Sequence, residues 1–451
     1  MNPLAPSPTL GATAAAPPGS TIVTGPGEDA HSYEKKRSHV FHRRQAVHRS
    51  ERFTPMRIVC APDSFKESMT SVEAAEAMAR GIHRVDPTIS CELVPMADGG
   101  EGTTEALISA LYGEWVEAPC HDALDRPTIG RFGFVPGRRL AIIEVAEAVG
   151  LAQIDPTERD IWAATSRGVG ELILSALDRG ATEFIMGLGG SATNDAGTGM
   201  LAALGARFLD RDRRPVPVGA RGLTSLVSLD LTSLDPRLRT VKFRIASDVS
   251  NPLLGDRGAS AVYGPQKGAE PSDVPELDAA LARWADVVEL AFDRSVRDIP
   301  GAGAAGGLGA AFAAATDATM ESGVEVVTDA VGLRDRIAGA DWVFTGEGGV
   351  DRQTASGKTP WGVAQAARAE GVPAIIFGGR ISDDAYELIG DAVVAVVPIL
   401  RQVTDLPTAL LDGSANLERA AATVTRLLTA RTHSDRVARQ CTTEMPAGLR
   451  L

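Results

Sequence analysis

The stretch "TEFIMGLGGSATNDAGTG", residues Thr182–Gly199, sets a short apolar run directly before a loop made of glycine, serine, threonine, asparagine and aspartate. Glycine inside an element costs about 1 kcal/mol against alanine, so a glycine cluster at the end of a strand answers a need for positive φ or for close approach by another group. Gly189, Gly190 and Ser191 offer bare N–H groups, with Thr193, Asn194 and Asp195 close behind. Exposed N–H groups beside an aspartate suit an anionic ligand and its metal. A strand that runs into such a loop belongs to an α/β fold, in which ligands collect beyond the carboxyl ends of parallel strands.

The same rhythm recurs on both sides. "RIVCAP" (57–62) leads into the helix-like "SVEAAEAMARGIHRV" (71–85), and "CELVPMA" (91–97) into "GTTEALISALYG" (102–113). From Trp115 to Glu147 the pattern changes to short β-prone pieces joined by turn residues, which read as hairpins. Strand-then-helix alternation resumes at "ADWVFTG" (340–346), "GVPAIIFGG" (371–379) and "AVVAVVPIL" (392–400). A chain of 451 residues that is 44% hydrophobic can bury two cores. The expectation is two α/β domains with a ligand cleft between them. Residues 56–113 and 299–430 would form a doubly wound parallel-sheet domain, interrupted by a second α/β domain at 114–298. Residues 1–55, low in complexity and then basic from His31 to Arg52, are expected to be a disordered extension, with Met56 opening the fold and 431–451 a loose tail.

Composition removes several function classes. The formal charge of −13 opposes general binding to nucleic acid or anionic lipid. No apolar run approaches the ~20 residues of a spanning helix, and the N-terminus lacks the apolar core of a secretory signal, so a cytoplasmic location is expected. Cys60, Cys91, Cys120 and Cys441 show no CxxC spacing. Of the seven histidines only His83 and His121 fall inside the expected fold, which leaves little for serine–histidine hydrolysis or a histidine-rich metal site. "GAGAAG" (301–306) follows Pro300 rather than a strand, so it reads as a close-packed turn and not a dinucleotide fingerprint. "GKT" (357–359) has Arg352 where a P-loop needs glycine.

Five polar loops follow strand-like runs. "APDSFKES" (61–68) supplies Asp63, Ser64 and Lys66; "MADGGEGTT" (96–104) supplies Asp98, Gly99, Gly100 and Glu101. The glycine-rich loop is the third. "SDVSNPLLG" (247–255) with "YGPQKGA" (263–269) brings Asp248, Asn251, Gln266 and Lys267, and "TGEGGVDRQTASGKT" (345–359) brings Glu347, Asp351, Gln353 and Lys358. One such loop alone reads as an Asx turn or helix cap. Their recurrence points to a shared site. Carboxylate, lysine, amide and glycine backbone are the parts of phosphoryl transfer: N–H groups and lysine for phosphate charge, carboxylates for Mg²⁺, and an aspartate for the attacking hydroxyl's proton. The reading is a kinase of a small hydroxylated substrate.

"DSFKES", "MADGGEGT", "GLGGSATNDAGTGM", "NPLLGDRGASAVYGPQKGA", "GAGAAGGLGA" and "GEGGVDRQTASGKTP" occur in an order that resembles the bacterial glycerate kinases of the class built on "DSFKGS" and "GGSATND", from Met56 to about Leu428. The resemblance implies phosphorylation of D-glycerate by ATP with Mg²⁺, usually at the 2-hydroxyl, with 3-phosphoglycerate as the other product. From the chemistry of the side chains, Lys66 and Lys267 would meet phosphate or carboxylate charge, and Asp98, Glu101, Glu347 or Asp351 would surround Mg²⁺. Asp195 would accept the proton; the alternatives are that Asp195 holds Mg²⁺ while Asp351 serves as base, or that Asp195 caps the following helix. Substrate and phosphate contacts would come from Asp63, Ser64, Gly99, Gly100, Gly189, Gly190, Ser191, Thr193, Asn194, Asn251, Gln266, Gln353 and Lys358. The chain departs from the class at Glu67 and Ala196, where glycine is frequent, and at Gly349, where the commoner "GRLDSQT" has arginine. A kinase of another small hydroxy acid, a nucleotide-dependent oxidoreductase and a DNA-binding regulator acting through the basic extension are the competing functions.

Overall fold

The computed structural model describes residues 55–443, and the expectations for the extension before Pro55 and for 444–451 lie outside them. In chain order the strands are β1 (Arg57–Cys60), β2 (Ser90–Leu93), β3 (Glu114–His121), β4 (Pro127–Val135), β5 (Leu140–Glu144) and β6 (Glu183–Gly187). They continue with β7 (Arg207–Leu209), β8 (Ser228–Asp230), β9 (Lys242–Ala246), β10 (Thr319–Glu321), β11 (Trp342–Val350), β12 (Ala374–Ile381) and β13 (Val393–Pro398).

Five strands form one sheet in the order β13-β12-β11-β1-β2, all parallel. The chain order reverses between β1 and β11, and that reversal opens a crevice at the strands' carboxyl ends, where doubly wound sheets bind ligands. The pairing reaches into the crevice: Ala61 N–H donates to the Phe344 carbonyl at 2.8 Å and Asp63 N–H to the Gly346 carbonyl at 2.9 Å.

The second sheet runs β10-β9-β6-β5-β4-β3, parallel from β10 to β5 and antiparallel beyond. The hairpin character expected for 115–147 is what β3, β4 and β5 form. β5 is buried along its whole length, as a strand covered on both faces must be. Phe184 stacks on Phe243 with ring centres 4.6 Å apart, and Phe312, from the helix Leu308–Ala315, meets Phe243 at 5.6 Å, so that helix closes one face.

Two boundaries differ from the sequence reading. β10 joins the six-stranded sheet although it lies beyond residue 298, because its pairing partner β9 is remote in sequence. The last helix, Gly413–Thr443, continues past residue 430, and no glycine or proline interrupts the chain from Ser414 to Thr443. This helix packs on the first, Ser71–His83, whose N-terminus is closed by a Thr70–Glu73 capping box. The approach is close: a Cβ on Gly81 would stand 2.2 Å from the Glu418 carbonyl.

Candidate active site

Two cavities flank the loop after β2. The first, about 370 Å³, lies at the carboxyl ends of β6 and β9 and is walled by Asp98–Gly100, Gly189–Ser191, Asp248, Tyr263, Gln266 and Lys267. The second, about 790 Å³, is lined by Asp63, Ser64, Lys66, Glu101, Trp115, Arg131, Glu144 and Glu147.

The glycines divide between packing and lining. Gly99 has φ +86°, and a Cβ there would sit 2.9 Å from both Ala246 Cβ and Gly323 Cα, so the Asp98 loop passes between the end of β9 and the helix Gly323–Val331. A Cβ on Gly306 would lie 2.0 Å from the Thr193 carbonyl, and Ala196 N–H donates to the Gly306 carbonyl at 2.9 Å. "GAGAAG" is therefore the buttress under the glycine-rich loop. Gly189 and Gly190 are the glycines of that loop that face the first cavity.

Lys267 enters this cavity from below. It is 3% exposed, and its Nζ donates to Ser191 Oγ at 3.1 Å and to the Thr193 carbonyl at 2.7 Å. Burial pulls its pKa down to about 7, against the attraction of Asp195. On the same cavity wall Asp248 accepts from Gly323 N–H at 3.1 Å, and Asp98 accepts from Gly100 N–H at 3.0 Å. Burial raises the Asp248 pKa, and the neighbouring Asp98 adds to the rise.

Asp195 does not reach either cavity. Fully buried, it accepts from Ser166 N–H (2.8 Å), Ser166 Oγ (2.9 Å), Gly197 N–H (3.1 Å) and Gly199 N–H (3.0 Å). Four donors hold this carboxylate beside the start of the helix Thr198–Ala203, whose N-cap is Gly197, and they occupy both of its oxygens. Asn251 is also structural, bridging the Arg257 carbonyl (2.7 Å) and the Tyr263 hydroxyl (2.8 Å). Asn194 donates to Ser260 Oγ at 3.0 Å, while its Oδ1 and the Thr193 hydroxyl are buried without a hydrogen-bond partner. Gln353 is exposed and lines neither cavity.

At the β1/β11 crevice Glu347 and Asp351 flank Lys358, and Asp63 stands nearby. Asp63 accepts from Ser64 N–H (2.6 Å) and Thr359 Oγ1 (2.5 Å); burial and then Asp98 push its pKa up to about 6. Glu347 accepts from Thr354 Oγ1 at 2.9 Å, and burial raises it to about 7 although Lys358 opposes the rise. Lys358 Nζ stands 3.7 Å from Glu347 Oε1 and 3.6 Å from Asp351 Oδ1, and the latter oxygen has no hydrogen-bond partner. Among the described residues no three His, Cys, Asp or Glu side chains converge as a metal cage, and Asp98, Glu101 and Glu347 are not brought together. The crevice carboxylates do fit Mg²⁺ carried in on nucleotide phosphates, which needs only one or two of them.

The sequence reading missed Glu144, Arg131 and Glu147. Glu144 accepts from Gly102 N–H (3.3 Å) and Thr104 N–H (2.7 Å), so the helix Thr103–Leu111 presents its N-terminus to a carboxylate of β5 and not to a ligand. Arg131 pairs with Glu147 through two hydrogen bonds and lies 4.1 Å from the Trp115 ring centre. Only a contact across strands reveals these groups, and local spacing carries no sign of it.

Residues 58–429 match the model of the glycerate kinase family. The chain belongs to the glycerate kinase family. It is 44% identical over 379 residues to the glycerate kinase of Haemophilus influenzae, covering 84% of this chain and all of that one. It is 42% identical to the glycerate 2-kinase of Escherichia coli over 83% of this chain and 98% of the relative. A crystal structure of a protein from Salmonella typhimurium LT2 is 42% identical and superposes with a TM-score of 0.78 over 84% of this chain and all of that one. As a glycerate kinase family member the chain is a phosphotransferase, and the family match spans both sheets and both cavities. Two of the three departures from the class motif, Glu67 and Ala196, hold φ of +62° and +49°, which explains why glycine is the frequent residue there.

Proposed function

We propose that this chain transfers the γ-phosphoryl group of ATP to the 2-hydroxyl of D-glycerate, releasing ADP and 2-phosphoglycerate. The observation that carries the reading is the glycine-walled cavity in which buried Lys267 shares the space with Asp98 and Asp248, beside the β1/β11 crevice. The relatives named glycerate kinase, and the one named glycerate 2-kinase, support the substrate and the position.

In this reading the hydroxy acid occupies the first cavity, and the nucleotide phosphates reach it from the crevice, where Lys66 and Lys358 supply positive charge. The acceptor oxygen attacks the γ-phosphorus as the bond to the β-phosphate oxygen breaks, and its proton passes to Asp248. Burial makes Asp248 more basic than an exposed carboxylate, which suits a proton acceptor. Mg²⁺ brought with ATP would rest on one or two of Asp63, Glu347 and Asp351 and neutralise phosphate charge. The two sheets act as two domains around the site. A cytoplasmic location belongs to the same proposal; among the described residues no helix is long and apolar enough to cross a membrane.

The test is a coupled assay of the full chain with ATP, Mg²⁺ and D-glycerate, with the product read by ³¹P and ¹H NMR. Phosphate on the 2-position is expected. Phosphate on the 3-position would overturn the regiochemistry, and a folded but inactive chain would overturn the substrate. Asp248→Asn should lower kcat by about 10² to 10⁴ with the melting temperature retained; unchanged turnover would remove Asp248 from the role.

A further inference from the structure

Lys267 is an unusual place to keep a positive charge. Its two hydrogen-bond partners, Ser191 Oγ and the Thr193 carbonyl, are both neutral, and among the described residues no ion pair of Lys267 is found. An ammonium has three donors, so one N–H is left over, and the side chain that bears it lines the first cavity. A buried ammonium without a counter-ion is costly, and an anion arriving in that cavity would offset the cost.

The charge around the cavity selects which anion. Asp98 and Asp248 line it together with Lys267, and Asp195 stands behind the lysine. A nucleotide polyphosphate would bring several negative charges against two carboxylates and a single lysine. A monocarboxylate brings one. The cations suited to polyphosphate, Lys66 and Lys358, belong instead to the loops that follow β1 and β11.

Resting on the function proposed above, we infer that Lys267 seats the carboxylate of the hydroxy acid, and that the seat takes up a proton when the acid binds. Three groups share the cavity with the ammonium and bear on its titration: Asp98, Asp248 and the Tyr263 hydroxyl; Asp195 acts from behind. Burial leaves the empty-site lysine titrating near neutrality, and the bound carboxylate draws it to the charged form. Affinity for the acid should therefore fall as pH rises through about 7.

The test is calorimetric titration of D-glycerate into the full chain, in two buffers of different ionisation enthalpy, at pH 6 and pH 8. Proton uptake approaching one per site is expected at pH 8 and little at pH 6. Lys267→Met should abolish the uptake, raise KM for D-glycerate at least about tenfold, and leave KM for ATP within about twofold. Its melting curve checks that the fold is retained. Loss of discrimination against glycerol, which lacks the carboxylate, should accompany the substitution. The inference is overturned if Lys267→Met raises KM for ATP instead, if proton uptake survives the substitution, or if the wild-type chain takes up none at pH 8. Failure of the functional reading looks different: Lys267-dependent uptake would be seen with lactate or glycolate, while D-glycerate is not phosphorylated.

Discussion

Glu67 and Ala196 show what a single side chain does at a left-handed position. A non-glycine residue there costs about 1 kcal/mol, and Glu67 is exposed, so nothing that it packs against offsets the strain. Glu67→Gly should raise the unfolding free energy by roughly 0.5–1 kcal/mol, read as a higher denaturant midpoint with an unchanged slope. Asp195 poses the opposite case. Asp195→Asn puts an amide nitrogen among four donors, and a loss of about 2–3 kcal/mol in stability is expected, with the turnover of the still-folded fraction largely kept. A stable variant with lost turnover would restore the chemical role. Glu347 sets a pH dependence. Its pKa is about 7 when folded against about 4.5 when unfolded, so the folded state binds the proton more tightly; that contribution is complete below pH 4.5 and disappears as pH rises through 7. Glu347→Gln should therefore stabilise the ligand-free chain at pH 8 by roughly 1–3 kcal/mol and make no difference at pH 4, in paired thermal melts.

At the level of elements, what was legible in the sequence was whatever neighbouring residues decide. The strand-to-loop junctions after β1, β2, β6 and β9 are visible because an apolar run ends in glycine and aspartate. The hairpins β3–β5 are visible because turn residues interrupt β-prone pieces. The group that satisfies the N-terminus of the helix Thr103–Leu111 was not legible, because Glu144 lies 40 residues from Thr104 on another element. The membership of β10 was hidden for the same reason. Glu144→Gln keeps the shape but weakens both backbone hydrogen bonds, and a cost of about 1–2 kcal/mol is expected. Amide exchange in residues 103–111 should quicken more than exchange in β5 itself.

Across the whole molecule the alternation of strands and helices was enough to anticipate parallel sheets, and the resemblance in the loops was enough to name the chemistry. Which acid faces which cavity was not legible, since Asp195, Asp248 and Asp351 all sit in polar loops that follow strands and differ chiefly in what surrounds them in space. The family match from residue 58 to 429 spans both sheets, so a chain started at Met56 should melt at the same temperature and keep its kcat/KM; a loss in either would give the preceding residues a part in the fold or the site.

The pairing of β1 with β11 joins residues 284 positions apart, whereas every strand of the six-stranded sheet falls between residues 114 and 321. On the ribosome the six-stranded sheet has all its strands while β1 still lacks β11, and the first helix waits for the last to be made. For most of its synthesis the nascent chain carries an open parallel edge and a bare helix face, the surfaces most prone to pairing with another copy. Slow translation of residues 322–342 would lengthen that exposure, and a chaperone that shields the first forty residues of the fold would shorten its consequences.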